Sequence, residues 1–243
     1  MSVFYEDLAP AEFRARLAAA PIAYVPLGTL EWHCEHLPLG TDGLLARGLF
    51  ARVAREVGGI VLPSLHLGPD RRIEEPDGTD LIGMDYDATV DPPRRLDGSA
   101  YWADDDLYAA ILEATVRNLA RAGFRIITAH GHGPSARAFM AGIAGWRDRY
   151  GVRCHTAWPT GDPEPGGFMT DHAAANETSI LMALHPDLVH MDRLPADPGE
   201  WPLGVGGPDP RTHATREAGE AILARATQDL ARRLREDLAA LEG

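Results

Sequence analysis

Residues 22–57, IAYVPLGTLEWHCEHLPLGTDGLLARGLFARVAREV, form a complete strand, loop and helix unit. Ile22–Leu27 (IAYVPL) is a short apolar run that stops at Gly28, the pattern of a strand buried on both faces. Thr41 suits an N-cap. After it, Leu44, Leu45, Leu49, Val53 and Val57 recur at helical spacing until Gly58 and Gly59 end the run. The loop between strand and helix is dense in imidazoles and carboxylates.

The same alternation continues outward. Residues 60–67 (IVLPSLHL), 124–128 (FRIIT) and 152–158 (VRCHTAW) read as strands. Residues 104–122 read as a helix with acids at its start and Gly123 as its stop. Residues 135–150 and 176–184 read as further helices, and 214–241 as a long amphipathic one. Residues 68–103 and 192–213 are rich in Pro and Gly and lack periodicity. The first stretch is too long for an idle loop, so it is expected to shape a site or an interface. The expected fold is a single α/β domain over residues 1–243, a three-layer α/β/α sandwich with a mainly parallel central sheet.

Lys and Arg number 23 against 36 Asp and Glu, a formal charge of −13 that disfavours phosphate backbones and so nucleic-acid binding. Cys34 and Cys154 read as free thiols in a reducing compartment. The first residues carry acids and no apolar core of a signal peptide, and no run approaches the ~18–20 apolar residues that span a bilayer. A cytoplasmic protein without membrane partners is expected.

In sheets of this kind ligands sit beyond the carboxyl ends of the strands. Three polar clusters fall there: Glu31-x-His33 after the first strand, His130-Gly-His132 after the strand that begins at Phe124, and Asp171-His172 after the loop that follows Trp158. Glu31, His33, His36 and Asp42 are all metal acceptors. In extended chain, positions i and i+2 point to one side, so Glu31 and His33 can face one cavity. Asp42 stands at a helix start, where the dipole favours a carboxylate, and its two oxygens suit a bridge between two ions. On spacing alone, a metal site and a His- and Glu-rich surface loop both remain open.

EWHCEHLPLGTD (residues 31–42) resembles the creatininase signature E-x-H-G-x-H-L-P-x-x-T-D. His130-Gly-His132-Gly133 stands at the place of that family's N-G-H-G-G-N. The stretch from Asp171 to Ser179 (DHAAANETS) is similar to its H-A-G-x-x-E-T-S. The three matches keep the family's order and together cover most of residues 20–190. The resemblance implies hydrolysis of a C–N bond in a small amide, cyclic amide, formamide or peptide. Water would be activated by one or two divalent ions, Zn, Mn or Fe, in a homo-oligomer, often a hexamer.

It also implies roles. Glu31, Asp42 and a further carboxylate would hold one ion; His33, Asp42 and His132 the other. In some members that carboxylate lies two residues after the histidine matching His132; here the place is Pro134, so the role falls to Glu177. His172 would pass a proton to the leaving group, helped by Asp171. His36 and His130 are expected behind the ligands or against substrate. Cys34, where the family has glycine, is expected as a small packed side chain, and Trp158 as a pocket wall. The departures at His130 and Pro134 keep two alternatives in view: an isomerase or C–C or lactone hydrolase on a sugar-like carbonyl, and a binding subunit with a degenerate site.

Overall fold

The computed structural model describes residues 2–242. In chain order, helix α1 (Pro10–Ala19) is followed by strand β1 (Ile22–Leu27), α2 (Thr41–Val57), β2 (Ile60–Val61) and a hairpin of β3 (Arg72–Glu74) and β4 (Asp80–Ile82). Then come α3 (Asp105–Ala122), β5 (Ile126–Gly131), α4 (Gly133–Tyr150), β6 (Arg153–His155), α5 (Ala175–Leu184), the one-turn α6 (Pro210–His213) and α7 (Arg216–Glu242).

Strands β2, β1, β5 and β6, in that order, make a sheet in which every neighbouring pair is parallel. β1 and β5 are central, paired from Ile22 opposite Ile126 to Leu27 opposite Gly131. Side chains alternate across the sheet. Ile22, Tyr24 and Ile126 join a core built with Leu45, Leu49 and Val53 of α2, Ile180 of α5 and Leu223 of α7. Ala23, Val25, Leu27 and Ile127 join the opposite core with Tyr108 and Leu112 of α3 and Phe139 and Trp146 of α4. Apolar side chains cover both faces, which is why β1 reads as an unbroken apolar run. The result is the expected three-layer α/β/α sandwich.

Helix α7 lies against α5 and α2. A Cβ on Gly219 would stand 1.9 Å from the Ser179 carbonyl oxygen, so α7 and α5 touch backbone to backbone there. Ion pairs Arg52–Glu220 and Arg235–Glu56, both at 2.7 Å, tie α7 to α2.

Several boundaries depart from expectation. The strand expected over 60–67 contracts to Ile60–Val61 because Pro63 has no N–H to give the ladder. Leu62 and Leu65 still donate to the carbonyls of Tyr24 and Pro26 at 2.8 and 2.9 Å, so the segment follows β1 as a broken edge. The strand expected over 152–158 contracts to Arg153–His155, as the Thr156 hydroxyl turns to donate to the Trp158 carbonyl. Thr41 is the first helical residue of α2, not its N-cap. Gly40 takes that place, and the Thr41 hydroxyl donates to the Pro38 carbonyl at 2.6 Å. α4 starts two residues early, with Pro134 in its first turn, where a missing N–H costs nothing. α1 was not expected; of its residues, Phe13 and Leu17 pack against the second core.

Candidate metal centre

The central strands end side by side, and the polar clusters meet beyond them. Glu31 and His33 leave β1, His132 leaves β5 and caps α4, Asp42 lies in the first turn of α2, and Glu177 in the first turn of α5. Three helix N-termini therefore converge on one cluster, each lending partial positive charge. All five side chains are buried.

Two triads share Asp42: Glu31, Asp42 and His132, and His33, Asp42 and Glu177, with the donor atoms in each within 4.8 Å of one another. Asp42 Oδ1 lies 3.8 Å from His33 Nε2, and Asp42 Oδ2 lies 3.3 Å from His132 Nδ1. Its two oxygens thus face different imidazoles, the placement a bridging carboxylate needs. His132 Nδ1 is 3.0 Å from Glu31 Oε1, and His33 Nε2 is 3.7 Å from Glu177 Oε2. In this arrangement His132 lies nearest Glu31 and His33 nearest Glu177, while Glu31, His33 and His172 form a further cluster of potential donors. The Ala173 N–H, donating to Glu177 Oε2 at 2.8 Å, holds that carboxylate on the His33 side.

The residues suit a divalent cation. His33 Nδ1 lies 3.2 Å from the Glu31 carbonyl oxygen, which makes Nδ1 the donor and leaves Nε2 for a ligand. His33 Nε2 and Asp42 Oδ2 are buried without a hydrogen-bond partner. Electrostatics point the same way. Burial opposes charge on His33, but the Asp42 and Glu177 carboxylates outweigh it and push its pKa up to about 10. For His132, burial is again outweighed, by Glu31 and Asp42, and the pKa rises well above the usual value. Asp42, against its burial, is held well below the carboxylate range by His33 and His132. Burial and the neighbouring Asp42 charge drive Glu177 well above it. Three packed carboxylates call for positive charge, which divalent ions supply directly, and the mixed nitrogen and oxygen donors suit Zn, Mn and Fe alike.

His172, half-buried, completes the rim. Its Nε2 lies 2.8 Å from the Trp32 carbonyl oxygen, and its Nδ1 3.9 Å from Glu31 Oε1. Burial and the charge on His33 lower its pKa, so the ring is neutral near pH 7. Asp171 does not reach His172 by a hydrogen bond. Its oxygens accept the N–H groups of Asn176 and Glu177 at 2.8 and 3.1 Å, fixing the start of α5, so the expected help to His172 gives way to capping.

His36 stands behind the ligands, its Nε2 2.9 Å from the Thr178 hydroxyl. Burial lowers its pKa to about 4, which keeps it neutral. Cys34 is buried at φ 55°, in the left-handed region that favours glycine. His130 is fully buried against Trp158 and Phe168, with ring centroids 4.6 and 5.7 Å away. Burial lowers its pKa to about 3. His130 packs against Trp158 and does not itself line the cavity over the cluster. Trp158 itself lines a cavity of about 570 Å³ over the cluster, with Asp70, Arg71, Arg137 and Met169 among the other walls. Asp70 was missed in the sequence, and no motif or spacing marks it.

A family profile described as creatinine amidohydrolase matches residues 6–234. The chain belongs to the creatininase family. It is 29% identical to creatinine amidohydrolase of Pseudomonas putida over 271 residues, covering 97% of each chain. It is 28% identical to the mycofactocin precursor peptide peptidase of Mycolicibacterium smegmatis, covering 79% of this chain and 69% of that one. A solved creatininase variant described as the Zn–Zn type superposes with a TM-score of 0.73 at 27% identity, covering 98% of both chains. As a creatininase-family protein, the chain is a metal-dependent hydrolase. The isomerase and binding-subunit alternatives find no support in these relatives.

Proposed function

We propose that this chain hydrolyses the C–N bond of a small amide or short peptide over two divalent ions, zinc being the first candidate. Glu31, Asp42 and His132 would hold one ion, and His33, Asp42 and Glu177 the other. The observation that carries this reading is the split of the Asp42 oxygens between His132 and His33. Bound there, such ions lower the pKa of water toward about 7 and polarise the substrate carbonyl.

The protein's own groups supply the rest. His172, fixed by its Nε2–H to the Trp32 carbonyl, takes a proton from the attacking water at Nδ1 and hands it to the departing nitrogen as the C–N bond breaks. Trp158 and Met169 wall the cavity and limit water around the scissile bond. The P. putida relative supports a cyclic amide as substrate, the mycobacterial one a peptide. A homo-oligomer and a reducing cytoplasmic setting belong to the same proposal. Exposed Tyr101, Leu107 and Trp201 support the first, and two unpaired thiols the second.

The test is elemental analysis with turnover of creatinine, formamides and short peptides before and after chelation. Two ions per chain, with activity lost to chelator and restored by zinc or manganese, are expected. Full activity in metal-free protein would overturn the reading.

A further inference from the structure

His132 turns Nδ1 to Glu31 and Asp42, so its other nitrogen, Nε2, must find a partner elsewhere. That atom is buried and has no hydrogen bond. The group facing it is the Asp70 carboxylate, whose Oδ2 lies 3.6 Å away and whose side chain is 8% exposed. Asp70 belongs to the irregular stretch after β2, and two contacts pin it. Its Oδ1 accepts the Arg71 N–H at 2.8 Å. Its Oδ2 lies where a Cβ on Gly83 would come within 2.2 Å, so Gly83, at φ 58°, is the residue that leaves room for the carboxylate. A movement of about 0.5 Å brings Nε2 and Oδ2 to hydrogen-bond distance.

We propose that Asp70 is a positioning residue that accepts the Nε2–H of His132 and so fixes the tautomer presenting Nδ1 to a cation. Imidazoles that ligate metals commonly donate their second N–H to a carboxylate, which sets ring orientation and raises basicity. The proposal rests on the two-ion reading above. It is asymmetric, because Asp70 touches the triad of Glu31, Asp42 and His132 through His132, whereas the His33 triad has its own acceptor in the Glu31 carbonyl.

The experiment is a zinc titration of metal-free protein against a chromophoric chelator, for wild type, D70A, D70N and H132A. Wild type should give two binding constants. D70A should weaken one of them 10- to 100-fold and leave the other within twofold. D70N keeps an acceptor oxygen and should recover most of the loss. Proton spectra of the zinc-loaded protein should show the His132 Nε2–H exchanging faster with solvent in D70A than in wild type, because its acceptor is gone. Constants that both stay put, or that move together as a general loosening would make them, overturn the proposal. A loss as large as that of H132A also overturns it, by making Asp70 a ligand. If wild type itself takes up no zinc tightly, the two-ion reading falls, and this one with it. Two ions in wild type with unchanged constants in D70A defeat the Asp70 role alone.

Discussion

The His172 imidazole donates through Nε2 to the carbonyl oxygen of Trp32 at 2.8 Å, which leaves the Nδ1 lone pair on the side of Glu31. Backbone rather than a carboxylate therefore sets its tautomer. His172→Ala should lower kcat by about 10²- to 10⁴-fold with bound metal unchanged, read by single-turnover kinetics beside elemental analysis. Because burial and His33 lower the His172 pKa, its basic form persists below the ordinary value of about 6.5. The acid inflection that disappears in His172→Ala, as distinct from that of the activated water, should fall below that point. An inflection that survives the substitution unchanged would contradict the assignment.

Asp42 is the one carboxylate common to both triads. Asp42→Ala should lose both ions, whereas Glu177→Ala should lose only one. Metal-to-protein ratios after gel filtration decide this. Equal losses from the two variants would mean that Asp42 does not bridge.

The close approach at Gly219 gives a stability prediction. A methyl group there would meet the Ser179 carbonyl, which is backbone and cannot swing aside. Gly219→Ala should cost about 1–3 kcal/mol. Thermal unfolding would report it as a lowered Tm despite the better helix propensity of alanine.

Asp237 joins α7 to β6, accepting from Arg153 Nη1 and pairing with His155 Nε2, each at 2.6 Å. Partial burial works against its charge, but His155 and Arg153 prevail and hold its pKa below the usual value. A depressed folded pKa means stability present above the unfolded value of about 3.9, lost as pH falls through the folded one. Asp237→Asn should therefore cost about 0.5–1 kcal/mol at pH 7, the pair being partly exposed. The gap to wild type in urea melts should close as pH falls through the folded Asp237 value.

Much of the site was legible because metal chemistry restricts residue type at short range. Glu31-x-His33 and Asp42 could be read from one stretch, and the parallel α/β alternation brought His132, His172 and Glu177 to the same rim. The partition of ligands was not legible. Whether Glu177 faces His33 or Glu31 depends on the Ala173 N–H that holds it, a contact set only once α5 is docked. Asp70 was invisible for another reason. Asp77 and Asp80 stand in the same stretch, and only the fit of Oδ2 over Gly83 singles Asp70 out. Pro63, which has no N–H for the ladder, is the one visible mark in residues 60–67 of where β2 stops.

Helix α7 supplies no ligand, yet α2 with Asp42 and α5 with Glu177 both rest on it. The two triads are thus yoked by residues 216–242. A substitution that unseats this helix would therefore shift Asp42 and Glu177 together, from a distance and without touching either carboxylate.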